Sequence, residues 1–323
     1  MIPTTKKTLR FRADGTFRVL MVSDIQDKAA YDPRTLTGLR AMIAESDPDL
    51  VIWGGDNVDG RYLKTYEELT EYLKVFTAPM EEKNIPWMHI YGNHDYDVDV
   101  DTATQHKMYQ AYPHCISGTT EGIPGVSNYA VPVLAHDSEH VAYCIYAFDT
   151  MHKNPELRPG VSPESLMLPN RHHSYRKWDM VRFEQQMWYW NLSKELEAQE
   201  GHLVPAMAVM HVPPHEIYMT VNNPEETGYR GEADEKIHCP ILNSGVYATM
   251  LQRGDVGIIA AGHLHKDTVD GVYGGIRITL DACAGFAPSG IDDRRGGRVF
   301  ELREDGTHST HMIFLKDLMD IAE

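Results

Sequence analysis

Cysteine is scarce in this 323-residue chain: Cys115, Cys144, Cys239 and Cys283 lie far apart, with no C-x-x-C pair. That excludes a disulfide-built scaffold and a cysteine-rich zinc module. Cys144 and Cys283 fall inside apolar runs and read as core residues, and a reduced, cytoplasmic setting is expected. Long hydrophobic runs are also missing. The longest are too short to span a bilayer, so no membrane is expected as a partner. No apolar stretch of signal-peptide type follows Met1-Ile2-Pro3-Thr4-Thr5-Lys6-Lys7. Positive charge is in short supply: 30 Lys and Arg face 47 Asp and Glu, a net charge of −17. A long polyanion finds no general footing on such a surface, so stable nucleic-acid binding is not expected. A metal-dependent nuclease survives that argument, because bound cations reverse the local field. No composition break, low-complexity tract or fixed-period repeat marks a boundary, and residues 1–323 are expected to form a single domain.

The chain does hold short apolar runs that alternate with helical patterns. Phe17 to Val22, Leu50 to Trp53 and Trp87 to Tyr91 read as buried strands. Asp32-Pro33 opens a helix through Leu36, Leu39 and Ile43, and Leu69, Tyr72, Leu73 and Phe76 mark another. This alternation predicts a parallel sheet with its loops gathered at the carboxyl ends of the strands. Further on, Tyr129 to Leu134 and Val141 to Phe148 read as neighbouring strands. A helix runs through Phe183, Met187, Trp190 and Leu196, and Asn243 to Gln252 is another. Val204 to Met210, Val256 to Ala261, Ile276 to Cys283, Arg298 to Leu302 and His311 to Leu315 complete the strands. Residues 150–180 and 213–240 show no clear period and are expected to be long loops near the active site.

Five of these runs end on hard ligands: Ser23-Asp24-Ile25-Gln26, Gly55-Asp56-Asn57-Val58-Asp59, Gly92-Asn93-His94-Asp95, Met210-His211 and Gly262-His263-Leu264-His265. Each alone has a bland reading. A strand-end Asp caps a turn, and a lone buried His is satisfied by a neighbour. His263 and His265 alternate, so an extended backbone points both the same way. Together these oxygen and imidazole donors, joined by no cysteine, point to Mn, Fe or Zn in mixed coordination rather than to structural zinc.

In their order the motifs resemble D-x-H, G-D-x-x-D, G-N-H-D/E, H and G-H-x-H of the calcineurin-like metallophosphoesterase superfamily. Gln26 stands where that superfamily usually has His. A finer similarity is to the class III purple-acid-phosphatase-like subgroup and its bacterial relatives. Ser127-Asn128-Tyr129, Phe148-Asp149-Thr150, Asn243-Ser244-Gly245-Val246-Tyr247, Arg253-Gly254-Asp255-Val256 and Gly296-Gly297-Arg298-Val299 carry it. The resemblance implies a four-layer α/β/β/α sandwich of two mixed sheets flanked by helices. It implies two divalent or trivalent ions, one held by Asp24, Gln26, Asp56 and His265, the other by Asp56, Asn93, His211 and His263. His94 would stabilise the phosphoryl group or protonate the leaving oxygen, Asp95 would orient it, and Asp59 would give structural support. Gln26 either ligates through its amide oxygen or hydrogen-bonds a metal-bound water, and Asp27 is a weaker substitute. The tyrosine ligand of the purple enzymes has no counterpart in Asn57-Val58-Asp59, so no purple colour is expected.

The implied activity is hydrolysis of a small phosphomonoester or phosphodiester by attack of a metal-bridging hydroxide. Arg171 and Arg176, in a basic stretch of an acidic chain, and His215 are the expected substrate contacts; a solvated loop is the competing reading for all three. Within enzymes the rival is a cyclic-nucleotide phosphodiesterase or nuclease. Outside them it is a catalytically impaired relative that binds a phosphorylated ligand. The charge disfavours the nuclease, and Gln26 keeps the impaired relative in play.

Overall fold

The computed structural model describes residues 6–153, 159–161 and 178–322. In chain order its strands are β1 (Leu9–Arg10), β2 (Thr16–Val22), β3 (Leu50–Gly54), β4 (Trp87–Ile90), β5 (Tyr129–Leu134), β6 (Val141–Phe148), β7 (Ala206–Met210), β8 (Val256–Ala261), β9 (Asp270–Tyr273), β10 (Ile276–Leu280), β11 (Gly296–Arg303) and β12 (His308–Phe314). The α-helices are α1 (Pro33–Ser46), α2 (Tyr66–Phe76), α3 (Ala78–Glu81), α4 (Thr102–Gln110), α5 (Phe183–Glu200), α6 (Ile217–Asn222), α7 (Pro224–Thr227) and α8 (Val246–Arg253). One sheet runs β1-β5-β6-β7-β8-β10-β9, the other β12-β11-β2-β3-β4. Both are mixed: β2, β3 and β4 pair in parallel, as do β6, β7 and β8, while β11 and β12 pair antiparallel.

The central strands read as unbroken apolar runs because each has two covered faces. Along β2, Val19 and Met21 face the other sheet, while Leu20 and Val22 face α1 and α2. Along β7, Met207 and Val209 face the first sheet's partner, while Ala208 and Met210 lie under α5 and α8. Three apolar layers result, one between the sheets and one beneath the helices on each outer face. This is the four-layer α/β/β/α arrangement. Each fully buried aliphatic side chain in these layers contributes about 1.5–3 kcal/mol.

The helices start where local chemistry allows. Asp32 caps α1 by accepting from the Arg34 N–H, with Pro33 in the first turn. Thr65 and Glu68 form a reciprocal capping box at α2. The β9–β10 hairpin was not expected from the sequence, although Gly274-Gly275 signalled it: both have positive φ, 55° and 93°. Residues 213–240 are not a plain loop. They hold α6 and α7, and Arg230 bridges to Asp270. All four cysteines are buried, and none is joined in a disulfide. No helix among the described residues is long and apolar enough to cross a membrane.

Candidate metal centre

The carboxyl ends of β2, β3 and β4 meet those of β7 and β8 across the sandwich, and the expected ligands sit in the turns that follow. Asp24, Gln26, Asp56 and His263 all have left-handed backbones, with φ of 52°, 43°, 49° and 73°. Such residues are uncommon outside glycine, and four at one place mark a site held by its surroundings. Hydrogen bonds across the turns supply the hold: Asp24 N to the Gly55 carbonyl at 3.0 Å, Gln26 N to the Asp56 carbonyl at 2.9 Å. The motif glycines are where the turns touch. A Cβ on Gly262 would lie 1.8 Å from Ser23 Oγ and 2.7 Å from Asp24 Oδ2. A Cβ on Gly92 would lie 2.3 Å from Asp56 Oδ1.

Two groups of potential ligands form, Asp24–Asp56–His265 and Asp56–His211–His263, with Asp56 common to both. His265 Nε2 lies 3.2 Å from Asp24 Oδ1, and His211 Nε2 lies 3.3 Å from Asp56 Oδ2 and from His263 Nδ1. Ligand atoms around one ion at about 2.1 Å stand roughly 3–3.4 Å apart, so these spacings fit shared ions. The tautomers fit as well. The Nδ1–H of His211 donates to the Gly54 carbonyl (2.9 Å) and that of His265 to the Ser289 carbonyl (2.8 Å). Each carbonyl holds the Nδ1 proton, so Nε2, turned to the carboxylates, is the nitrogen that a metal would take in place of a proton. Asp24 Oδ1, Asn93 Oδ1 and both amide atoms of Gln26 are buried without a hydrogen-bond partner among the described residues. Orphaned polar atoms in one place are costly unless something binds there. The donor set therefore fits two hard or borderline cations.

The electrostatics show the same demand for positive charge. Burial opposes ionisation of Asp56, yet the His211 charge beside it holds its carboxyl far below the ordinary range. Burial likewise opposes charge on His211 and His265, but Asp56 and Asp24 push the first up to about 10 and Asp24 pushes the second up to about 9. Burial, and then the charge on His211, keep His263 neutral. Protons thus stand where cations would.

The remaining expected residues divide. His94 lies at the rim of the site, and its backbone N–H donates to Asp56 Oδ1 at 2.7 Å. Asp95 does not reach the His94 ring. Its carboxyl turns inward, accepting from the N–H groups of Asn57 (3.0 Å), Val58 (3.3 Å) and Gly92 (2.7 Å), so it organises the two turns. Asp97, three residues on, holds His94 Nδ1 at 2.9 Å. The one-turn His-x-x-Asp spacing was the signal for it. Asp27 is engaged with the N–H groups of Lys28 and Asp32, and Asp59 with Arg61. His215 pairs with the Pro240 carbonyl at 2.7 Å, a contact internal to its loop. Arg171 and Arg176 lie outside the described residues. The long loops do reach the centre: the Trp178 ring meets His263 edge-on at 4.8 Å, and His238 stands 6.1 Å from it.

A two-sheet sandwich with carboxylates and imidazoles gathered at facing strand ends is built to hold metal ions. The calcineurin-like phosphoesterase pattern matches residues 17–267, and the chain belongs to that family. It is 28% identical to "Probable inactive purple acid phosphatase 14" of Arabidopsis thaliana, over 94% of this chain and 79% of that protein. "Probable inactive purple acid phosphatase 28" of the same plant is 26% identical, over 91% of this chain and 77% of that one. In fold the chain is similar to a dimetal phosphatase from Danio rerio, with a TM-score of 0.57 and 14% identity, covering 92% of this chain and 98% of that one.

Proposed function

We propose that the chain is a binuclear metal-dependent phosphoesterase that hydrolyses a small phosphomonoester or phosphodiester, working as one unit. The observation that carries this is Asp56, shared between two ligand groups at the facing ends of both sheets. Asp24, Gln26 and His265 would complete one ion's shell; Asn93, His211 and His263 would complete the other's. Mn, Fe and Zn suit these donors. When bound, such a pair supplies an acidified water and a clamp for phosphate oxygens. The chain's own residues do the rest. The Gly54 and Ser289 carbonyls keep His211 and His265 aimed inward. Asp95 locks the turns bearing Asp56 and Asn93. His94, beside Asp56, is placed to donate to a phosphate oxygen or to the leaving group, an effect of about 10²–10⁴-fold for a positioned imidazole. The buried thiols suit a reducing compartment such as the cytoplasm.

The test is hydrolysis of aryl phosphomonoesters and phosphodiesters by metal-stripped protein, with Mn, Fe, Zn, Ni or Mg restored in turn. Turnover that needs metal and collapses in Asp56→Ala and His94→Ala supports the reading. Failure to bind any metal refutes it. A second reading is a relative that binds a phosphorylated ligand without turnover. The neutral Gln26 in the ligand ring favours it, as do the names of the plant relatives. Two bound ions with no hydrolysis of either ester is its signature.

A further inference from the structure

Four carboxylates lie close to His94 along the chain or in the facing turn, and three of them are already engaged: Asp56 accepts from the His94 backbone N–H and belongs to both ligand groups. Asp59 accepts from Arg61 Nε at 2.8 Å and Nη2 at 2.7 Å. Asp95 is spent on backbone N–H groups. Asp97 alone faces the His94 ring, with Oδ2 at 2.9 Å from Nδ1. Its other oxygen, Oδ1, lies 3.2 Å from Nε2 of His152. One carboxylate thus stands between two imidazoles.

The two imidazoles come from different sheets. His94 follows β4, and His152 follows β6 of the seven-stranded sheet. The segment that delivers His152 is strained and braced. Met151 has a left-handed backbone, φ 56°, and its N–H donates to Asp149 Oδ1 at 2.8 Å. The Tyr96 hydroxyl donates to that same oxygen at 2.9 Å. The Tyr96 ring also lies parallel to the His152 ring, 3° apart in tilt with centroids at 5.9 Å. The turn bearing Asp97 is gripped from its other side as well. Asp97 N donates to the His94 carbonyl, Lys64 Nζ to the Asp97 carbonyl, and Gly60 packs so closely that a Cβ there would lie 2.3 Å from the His94 carbonyl oxygen. A strained residue braced this thoroughly beside the site is the kind of outlier that function retains.

We propose that Asp97 and His152 are positioning residues for His94: Asp97 fixes its tautomer and ring orientation, and His152 fixes Asp97. A carboxylate oxygen only accepts, so Nδ1 of His94 must carry the proton. Nε2 is then the working nitrogen. Without the carboxylate the ring exchanges tautomers and rotates, and its working nitrogen is misplaced for part of the time. The consequence for turnover rests on the phosphoesterase reading above; the tautomer does not.

The experiment joins ¹⁵N NMR of the imidazoles, in metal-stripped and zinc-loaded protein, to steady-state kinetics on an aryl phosphate. His94→Gln assigns the resonance. The wild-type protein should show His94 protonated at Nδ1, and Asp97→Asn should show a tautomer mixture. With activity present, Asp97→Asn should lower kcat by about 10–100-fold, a fraction of what a catalytic His supplies, while KM stays within about twofold. In a His94→Ala background it should cost nothing further. His152→Gln, which leaves the turn intact, should broaden the His94 signal and lower kcat by about 3–10-fold. A tautomer mixture in wild-type protein overturns the proposal, as does an undiminished Asp97→Asn loss in the His94→Ala background. A His152→Gln protein with wild-type spectrum and kcat overturns the part assigned to His152. If the chain hydrolyses no ester, the spectra still decide.

Discussion

Arg298→Met probes a buried arginine–carboxylate pair that joins the two sheets. Arg298 sits on β11 and is 2% exposed; Asp281, fully buried, follows β10 in the other sheet. Nε donates to Asp281 Oδ1 at 2.5 Å, and Nη2 reaches the carbonyls of Thr268, Val269 and Leu280 at 3.2–3.3 Å. Methionine keeps the apolar stem and removes the charge. A buried carboxylate left without its partner costs about 3–5 kcal/mol. For 323 residues the unfolding entropy is about 0.7 kcal/mol per degree, so Tm should fall by about 4–7 °C. The deficit must also depend on pH. Burial raises the Asp281 carboxyl to about 6 even with Arg298 pulling it down. In the wild type, its stabilising contribution is full below the unfolded value of 3.8 and is lost as pH rises to about 6. In the variant the folded pKa climbs further, so above pH 6 the folded variant keeps a proton that its unfolded chain has released. The gap to wild type should then widen by up to about 1.4 kcal/mol per pH unit. Urea unfolding and thermal scans of metal-stripped protein at pH 5.5 and 8 measure it. A Tm within a degree of wild type, or a gap that does not widen with pH, refutes the reasoning. Arg298→Met with Asp281→Asn should lose the pH dependence.

Gly262→Ala drives a methyl into Ser23 Oγ and Asp24 Oδ2, and titration calorimetry should show metal affinity at least about 10-fold weaker; unchanged affinity would place the turn elsewhere. Metal binding should release protons at pH 7, because His211 and His265, raised to about 10 and 9, carry them in the metal-free site. The binding enthalpy should therefore vary with the ionisation enthalpy of the buffer, and affinity should fall as pH drops. Stripping the ions should lower Tm, since saturation at a thousand times Kd stabilises by about 4 kcal/mol per ion. Iron-loaded protein should lack a tyrosinate band in its visible spectrum: the hydroxyls of Tyr72, Tyr91 and Tyr96 donate to Asn57, Thr102 and Asp149 instead.

Legibility in the sequence followed the range of the physics. The runs that became β2, β3, β7 and β8 were readable because burial on both faces demands continuous apolar residues. The starts of α1 and α2 were readable because capping is settled within a few residues, by Asp32 and by Thr65 with Glu68. β1, two residues long, was missed because its pairing with β5 lies more than a hundred residues away. The ligand types were readable one motif at a time, since a strand end followed by Asp, Asn or His is a local pattern. The partner of His94 was misread for a reason of geometry. Asp95 is adjacent in sequence, but the tight turn points it to the interior and brings Asp97 round to the ring.

The sequence by itself determined the alternation of strands and helices, the donor chemistry at five strand ends, and a strongly acidic net charge. Each follows from residue type and short-range spacing. Only the tertiary structure decided that Asp56 serves both ligand groups, that backbone carbonyls set the tautomers of His211 and His265, and that His152 arrives from the opposite sheet beside Asp97. Those facts depend on the packing of two sheets whose facing strand ends are scattered through the whole chain, and no local pattern encodes where they meet.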